Sequence, residues 1–405
     1  FTYDPGPDFT GYDSFTYKAA DGPLESDPAT VSIFVAESLG PLDFRVLEAE
    51  NPSAGDVYYQ WTTTHDAFLT LEAIFDDAAG TAELALYNES CVLLAASTDV
   101  DASQRIDWPA AAGERYFLKL SGTNSDVDVR LANLVSHVGT DVTVHGTLDE
   151  DLFEFDAAAS RLVTINGVAY HFTDAEAASV SFDGGPGADT ALLYGNDHDE
   201  TAELWPGRGT LAGEGYDVQI DNVETITVDG RGDGAVGDLA RLHDDDAAKD
   251  TLLGGPDAAT LSGNGSSNQV VDFHYVHAYS TAGDGDEAVL QADANLKNRF
   301  DAWSNLAKLR GYNAAGALSF FIRALSFHDV RAEGTPGGDD IAHLNGAPGR
   351  VDTFIGGPSH GELSGGDDYS LRADSFRNVH AHGNAGDDDV ATLNDDPGRF
   401  DELYA

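Results

Sequence analysis

The sequence has no methionine, a single cysteine (Cys91) and few basic residues, with 21 Lys and Arg against 71 Asp and Glu. One cysteine cannot form an internal disulfide, so the fold is not cross-linked through sulfur. The formal net charge of −50 disfavours nucleic acid as a partner, because phosphates are bound mainly through Lys and Arg. No apolar run approaches the roughly 20 residues that cross a bilayer as a helix, so we expect no membrane insertion.

The remaining composition is that of a folded protein. Hydrophobic residues make up 41% and aromatic residues 10% of the 405 residues, which is enough to build cores. At roughly 100–200 residues per domain, the length predicts two to four domains. The surplus carboxylates are expected at the surface, as in a solvated extracellular protein or one that collects cations. Because Phe1 is not a translational start, we expect a segment of a longer protein.

Residues 1–38 alternate aromatic and aliphatic side chains between turns with Pro and Gly, which predicts about three short strands. They resemble the second half of bacterial cadherin-like and Ig-like tandem repeats. The matching positions are Phe1, Tyr3, Pro5, Phe9, Gly11, Asp13, Ser14, Phe15, Tyr17, Asp21 and Gly22. The resemblance implies a partial domain, and so few strands must pack on strands from elsewhere.

Residues 39–139 read as alternating strands separated by Gly, Asn, Asp and Ser turns, which predicts an antiparallel β-sandwich. This stretch resembles the pre-peptidase C-terminal family of β-sandwich modules. The residues that carry the likeness are Tyr59, Trp61, Leu84, Leu86, Tyr87, Gly113 and Tyr116. The resemblance implies a non-catalytic spacer or a carbohydrate-binding appendage.

Residues 140–405 contain an internal repeat with a period near 50 residues. A strand ending in Ala-x-Leu recurs at intervals of 49, 48, 54 and 49 residues, and two further markers recur at similar spacing. The Ala-x-Leu positions are Ala191/Leu193, Ala240/Leu242, Ala288/Leu290, Ala342/Leu344 and Ala391/Leu393. Each repeat fits two short coils of β-strands, so we predict a β-helix, or β-solenoid. Only 295–309 could form a helical turn or two.

The repeat resembles an uncharacterised acidic class found in giant surface proteins of planctomycete-like bacteria. The likeness lies in GGDDIAHLNGAPGRVDTFIGGPSHGELSGG and GDDDVATLNDDPGRFDELYA. It implies a secreted or cell-surface location in a bacterium and no established chemistry. The predicted organisation is therefore all-β: 1–38 partial Ig-like domain, 39–139 β-sandwich and 140–405 solenoid.

Acidic residues recur in the predicted turns of the solenoid. Equal positions in successive repeats should stack in one column, where carboxylates repel one another unless a cation lies between them. Calcium, which prefers oxygen ligands, is the natural counter-ion. The candidate ligands are Asp189, Asp238, Asp286, Asp340, Asp389, Asp284, Asp339 and Asp388. The alternative is that Asp and Gly simply form solvated tight turns.

Histidines recur in the second marker, where they alternate with apolar residues and should point outward. The expected register groups His277 with Arg331 and His380, two coils apart, so an exposed polar ladder is favoured over a transition-metal site. Some β-helices are polysaccharide lyases or hydrolases, and the basic group Lys297, Arg299, Lys308 and Arg310 near Asp301 could mark a groove. The acids are spread evenly instead of concentrated, so we expect no enzyme.

Together these patterns predict an extracellular structural protein: a subunit of a fibre, surface layer or adhesin stalk stiffened by calcium. Copies of the chain would assemble end to end by strand complementation. The alternatives are a carbohydrate-binding surface module with a polysaccharide partner, and a β-helix polysaccharide lyase or hydrolase.

Overall fold

The computed structural model describes residues 2–6, 9–97, 103–158, 160–231, 237–245, 248–281, 285–384 and 387–394. In these residues the chain is all-β, as predicted, with two short 3-10 helices at Pro52–Ala54 and Asp77–Ala79. It divides into two compact units, Phe1–Thr147 and Leu148–Ala405. The boundaries expected after residues 38 and 139 stay predictions. None of the described helices has the length and apolar character needed to cross a membrane.

The first unit contains the strands β1 to β14. They are β1 (Gly11–Tyr17), β2 (Ala20–Asp21), β3 (Leu24–Glu25), β4 (Ala29–Val35), β5 (Glu37–Leu42), β6 (Phe44–Glu50), β7 (Val57–Thr63), β8 (Ala67–Phe75), β9 (Ala82–Asn88), β10 (Leu93–Ser97), β11 (Ser103–Ala110), β12 (Arg115–Gly122), β13 (Val127–Val138) and β14 (Asp141–His145). One sheet has the order β10-β9-β12-β7-β5, and in another β11-β8-β13 continues to β6 and β14, both paired with β13.

The core of this unit lies between those two sheets. Alternate residues of β7 and β9 are buried, as period-2 strands with one face on a core require, while β8, β12 and β13 also contain runs of consecutive buried residues. Trp61 and Tyr116, 2% exposed each, stack in this core with ring centroids 6.5 Å apart. Strand β4 adds Phe34, whose ring packs on Tyr58, Tyr87 and Phe117. The short N-terminal segment thus buries an aromatic ring on strands outside residues 1–38, as expected.

The second unit is a β-solenoid of about six turns, which confirms that prediction. Its strands are β15 (Leu152–Asp156), β16 (Leu162–Ile165), β17 (Val168–His171), β18 (Ser179–Asp183), β19 (Thr190–Tyr194), β20 (Thr201–Trp205), β21 (Arg208–Gly213), β22 (Tyr216–Asp221), β23 (Thr225–Asp229), β24 (Leu239–His243), β25 (Thr251–Gly254), β26 (Ala258–Gly263), β27 (Ser266–Val271), β28 (Tyr275–Tyr279), β29 (Glu287–Gln291), β30 (Lys297–Trp303), β31 (Leu306–Tyr312), β32 (Leu318–Leu325), β33 (Asp329–Glu333), β34 (Ile341–Asn345), β35 (Thr353–Gly356), β36 (His360–Ser364), β37 (Ser370–Asp374), β38 (Asn378–His382) and β39 (Val390–Leu393).

Two sheets form the solenoid, named sheet A and sheet B here. Sheet A has the order β18-β22-β21-β20-β24-β28-β32-β31-β30-β34-β38. Sheet B has the order β17-β16-β15-β19-β23-β27-β26-β25-β29-β33-β37-β36-β35-β39. Parallel pairs join consecutive repeats, and antiparallel pairs occur inside three-strand meanders.

The chain alternates between the two sheets along a repeating path. Each repeat places a three-strand meander in one sheet, then a single strand in the other sheet and a single strand back in the first. The meanders β20–β22 and β30–β32 lie in sheet A, whereas β25–β27 and β35–β37 lie in sheet B. Successive repeats of the sequence therefore fall on opposite sides of the core, and the path is not a simple stack of equal coils.

The predicted Ala-x-Leu segments are strands whose two apolar residues face the core. They form the single strands β19, β24, β29 and β34, where both residues are 0% exposed. Burying each leucine contributes about 1.5–3 kcal/mol. The last copy, in β39, is exposed.

The one segment with possible helical character forms strands instead. Residues 295–309 contain β30 and most of β31, which pair with each other and with β34 and β32. Phe300 and Leu309 are fully buried there. Pairing on both sides and burial of alternate side chains outweigh the weak local helical preference.

Candidate metal centre

An aspartate stands directly before each single strand that carries Ala-x-Leu. These residues are Asp189, Asp238, Asp286, Asp340 and Asp389, all of them predicted site residues. The first four are at most 1% exposed, and Asp389 is exposed. Burial of a carboxylate is costly unless hydrogen bonds or a cation compensate, so the bonding partners of these side chains decide what they do.

One oxygen of each aspartate accepts a backbone N–H from the neighbouring strand. The donor lies at the start of the first strand of a meander, just before that strand or, for Asn298, at its second residue, because the two strands are parallel and in register. The N–H···Oδ1 pairs are Asp151–Asp189 (2.8 Å), Glu200–Asp238 (2.8 Å), Asp250–Asp286 (2.7 Å), Asn298–Asp340 (2.9 Å) and Asp352–Asp389 (2.9 Å). The same bond therefore recurs in every repeat.

The second oxygen holds the turn that leads to the aspartate. Asp340 Oδ2 accepts the N–H of Thr335 at 2.8 Å, and Asp389 Oδ2 accepts that of Asn384 at 3.1 Å. Asp286 Oδ2 accepts the hydroxyl of Ser280 at 2.6 Å. Each of these carboxylates thus ties its own turn to the adjacent strand, an arrangement we call the carboxylate clasp.

The predicted single column of aspartates is wrong. Asp189, Asp286 and Asp389 precede strands of sheet B, whereas Asp238 and Asp340 precede strands of sheet A, so consecutive members lie on opposite sheets. The alternative of solvated turn acids is also wrong for the four buried members.

The other predicted ligands differ from the clasp residues. Asp339 and Asp388 are exposed, and Asp339 forms an ion pair with Arg377. Asp284 lies outside the described residues. The prediction of calcium binding at these positions stays a prediction.

One place in the described solenoid brings three carboxylates together. A carboxylate oxygen from each of Asp244, Asp250 and Asp286 lies within 4.8 Å of those from the other two. Asp250 and Asp286 belong to one clasp, and Asp244 comes from the turn after β24. The backbone N–H and the side-chain hydroxyl of Thr281 both donate hydrogen bonds to the carboxylate of Asp244 and hold it in place.

The sequence predicted only one of these three residues, Asp286. Asp250 was visible as a member of a repeated marker, and the signal that would have identified it is its position before a strand that pairs with that of Asp286. Asp244 has no such signal, because its proximity depends on the turn connecting β24 to β25.

Burial and mutual repulsion raise the pKa values of Asp244 and Asp250. Burial raises the pKa of Asp250 to about 6, and the charges of Asp286, Asp244 and Asp245 add to the effect. Burial likewise raises the pKa of Asp244, again with a contribution from Asp286. Three converging carboxylates fit a hard divalent cation, which would favour the charged forms and whose preferred ligands are oxygen atoms.

Asp189 is another buried carboxylate with a raised pKa. Its Oδ2 is buried without a hydrogen-bond partner, and burial, with the charges of Asp151, Glu224 and Glu150, raises its pKa to about 6. The preceding Gly187 has a φ of +150°, and a Cβ there would lie 2.7 Å from Asp189 Oδ1. Glycine is therefore required for the close approach of this turn to the carboxylate.

The histidines follow a different register from the predicted one. His277 lies opposite Arg241 and Arg323, and His380 lies opposite His343 on the adjacent strand. His343 Nδ1 is 3.2 Å from His382 Nε2. In the described residues three ligand atoms converge only at the aspartate cluster, so these imidazoles form a polar surface group.

The basic group that could have marked a catalytic groove lies on β30 and β31. Arg299 and Arg310 both bind Asp301, with nitrogen–oxygen distances of 2.8 and 2.6 Å. Burial alone would raise the pKa of Asp301, but hydrogen bonds and charge from the two arginines outweigh it and hold the pKa below its usual range. This arrangement joins two strands; the absence of enzymatic activity stays a prediction.

Comparisons with known proteins give little. No protein-family model and no curated protein matches the chain. One solved structure with similarity is the pre-peptidase C-terminal domain of collagenase from Bacillus anthracis. It has 14% identity and a TM-score of 0.20, covering 24% of this chain and 93% of that one. At that TM-score the likeness carries no argument about function.

Substitution of Asp340 tests whether the clasp stabilises the solenoid. Asp340→Ala leaves the N–H groups of Asn298 and Thr335 without an acceptor, and each such loss costs about 1–3 kcal/mol in a buried site. We expect the free energy of unfolding of the solenoid, measured by urea denaturation, to fall by several kcal/mol. Asp339→Ala, at the exposed neighbour, should change it by no more than about 0.5 kcal/mol. Equal effects of the two substitutions would contradict the clasp.

Asp189 tests the buried charge. In chelator the folded pKa of about 6 exceeds the unfolded value of about 3.9, so the folded state binds the extra proton between these values. Stability from this group is present below about pH 4 and is lost as the pH rises through about 6. Between about pH 4 and pH 6 the wild-type protein should lose unfolding free energy because Asp189 becomes charged. Asp189→Asn should make that loss smaller by about 1–2 kcal/mol. An unchanged pH dependence by circular dichroism would refute the assignment.

Proposed function

We propose that this chain is a rigid module of an extracellular structural protein, such as a fibre, a surface layer or an adhesin stalk. The observation that supports it is the continuous two-sheet solenoid, in which parallel strand pairs and the clasp join consecutive repeats. Repeat proteins of this kind are stabilised by contacts between neighbouring repeats and extend in one dimension. A net charge of −50 would keep such modules soluble and apart until cations screen them.

Calcium is the proposed stiffening ion, and the aspartate cluster at Asp244, Asp250 and Asp286 is its proposed main site. The cluster joins the turn after β24 to the starts of β25 and β29, so an ion there would link three segments of adjacent repeats. Burial raises the pKa values of Asp244 and Asp250, and repulsion from Asp286 raises them further, so a cation there would favour the charged forms. Binding of calcium would convert this repulsion into cross-strand attraction.

Asp250→Asn tests the calcium site. The wild-type protein, freed of metal by chelation, should bind calcium in a calorimetric titration and gain thermal stability. At 100 times the dissociation constant that gain amounts to about 2.7 kcal/mol. Asp250→Asn should bind at least about tenfold more weakly, because one charged ligand is removed. Asp339→Asn, which removes the same charge at an exposed position, is the matched control. Calcium binding that is equal in all three proteins would place the ion elsewhere.

End-to-end contact between copies is the proposed mode of assembly. Among the strands that the structure describes, β39 is the last in the order of sheet B, and Val390 and Leu393 on it are each 51% exposed. An exposed strand with apolar side chains is a template for pairing with another chain.

Electron microscopy of the purified chain with calcium and with chelator tests the assembly. We expect ordered filaments with calcium that shorten or separate on chelation. Val390→Lys places a charge on the exposed strand and should reduce filament length. The control Leu148→Lys, at another exposed position of the same unit, should not. Dispersed particles under both conditions would refute assembly while leaving the calcium titration to stand by itself.

A further inference from the structure

The arginines of the solenoid are not all used in the same way. Most of those that the structure describes form an ion pair with a carboxylate: Arg161, Arg231, Arg299, Arg310, Arg331, Arg350, Arg372 and Arg377. Arg208, Arg241 and Arg323 have no carboxylate of the described residues within ion-pair distance. All three lie on strands of sheet A, at outward-facing positions. In a chain with 71 acidic residues, this concentration of unpaired positive charge on one face is unexpected.

Two of these arginines belong to a row that crosses four adjacent strands. Arg241, His277 and Arg323 occupy equivalent positions on the parallel strands β24, β28 and β32. Lys308, on β31, lies opposite Arg323. At a strand spacing of about 4.8 Å, this basic row is about 15 Å long and runs perpendicular to the strands. The four side chains are half-buried at the outer face of the sheet.

The carboxylates nearest to the row have other partners. Glu203, opposite Arg241, contacts His243 at 3.2 Å, and Asp301, opposite Lys308, is bound by Arg299 and Arg310. Arg323 Nε is buried without a hydrogen-bond partner. Burial lowers the pKa of His277, and the charges of Arg323 and Arg241 lower it further, so His277 is neutral near pH 7. The row therefore has two guanidinium groups and an ammonium group with unsatisfied capacity for an anion.

Aromatic rings border the row and contact Arg323. A stack of parallel rings runs along one side, with Trp205, His243 and Tyr279 at centroid distances of 4.9 Å. Arg208 covers its first ring at 4.9 Å, and Arg323 covers its last at 5.9 Å. A guanidinium held against a ring loses less entropy when it binds an anion, since its orientation is already restricted.

On the other side of the row lie Tyr275 and Phe321, with ring centroids 6.0 Å apart. The face therefore presents a line of cations between two borders of aromatic edges. Tyrosine hydroxyls and the neutral imidazole of His277 add hydrogen-bonding groups suited to hydroxyl-bearing ligands.

From this arrangement we propose that the basic row on sheet A binds an extended acidic polysaccharide. The ligand needs anionic groups along a line about 15 Å long, because the cations are spaced by the strands. It must also be thin, because a second large acidic body would be repelled by the net charge of −50. A polysaccharide that carries carboxylates or sulfates meets both requirements and offers hydroxyl groups to the flanking residues. A second copy of this chain, or another acidic protein, meets only the first.

Binding of defined polysaccharides to the intact chain tests the proposal. Alginate and polygalacturonate supply carboxylates and chondroitin sulfate supplies sulfates as well, while dextran is the neutral control and polyglutamate the acidic-peptide control. Calorimetry at low ionic strength in chelator excludes calcium bridging between the acidic protein and the acidic polymer. We expect at least one acidic polysaccharide to bind, with affinity falling as salt is added, and dextran and polyglutamate to bind far more weakly.

Arg241→Gln/Arg323→Gln removes the row, and each lost charge-assisted contact should weaken binding about tenfold. The matched control is Arg331→Gln/Arg372→Gln, which removes two arginines that bind Asp374 on the outer face of sheet B. It should change the affinity less than about threefold. Arg241→Gln alone leaves the ring stack intact and keeps the test valid if the double variant does not fold by circular dichroism.

Three results would overturn the proposal. They are the absence of binding to all the acidic polysaccharides, equal binding by the wild type and the sheet A variant, and equal binding of polyglutamate. Wild-type self-association that disappears in the sheet A variant, measured by analytical ultracentrifugation without polysaccharide binding, would show instead that the row contacts a second copy. Because calcium is absent throughout, none of these outcomes bears on the calcium site.

Discussion

The solenoid depends on the hydrogen bonding of buried carboxylates at the starts of its strands. At the start of β34, for example, backbone N–H groups of the turn and of the adjacent strand would lack an acceptor without a side chain in that turn. The clasp satisfies both with one side chain, as Asp340 does for Thr335 and Asn298. Buried N–H groups without partners are expensive, so the acids are structural before they serve any other role.

This use of acids explains an apparent contradiction in the composition. A charge of −50 suggests a purely solvated surface, yet several carboxylates are among the least exposed groups in the chain. Where a clasp has sufficient donors, as at Asp340, the structure needs nothing further. Where a third acid joins the pair, as Asp244 does at Asp250 and Asp286, burial and mutual repulsion raise pKa values. The proposed calcium site is therefore a variation of the same motif.

The arginines differ in their partners between the two sheets. On sheet B, Arg331 and Arg372 share Asp374 and contribute to strand pairing. On sheet A, Arg241 and Arg323 flank a neutral histidine, and neither forms an ion pair with a carboxylate of the described residues. The two outer faces of the solenoid thus differ in chemistry although they are built from the same repeat. In the two proposals made above, sheet A would attach an acidic polysaccharide while the solenoid supplies stiffness.

The pattern of residues was sufficient for several features. The alternation of apolar and polar residues predicted the strands. The recurrence of Ala-x-Leu predicted the solenoid and the residues that face its core, such as Ala240 and Leu242. The aspartates before these strands were also visible, because a repeated position marks a repeated structural need. These features are local, or depend only on a period along the chain.

The tertiary structure alone decided how the repeats meet. A period of about 50 residues does not say that successive repeats lie on opposite sheets, so one predicted column of acids became clasps on two sheets. It also does not say which strands become parallel neighbours, and that pairing places His277 between Arg241 and Arg323, and His343 beside His380. The strands that become neighbours are chosen by the connections and by the shared core between the sheets. Contacts between residues distant in sequence, including the Asp244 cluster and the basic row, therefore follow from that topology and not from spacing.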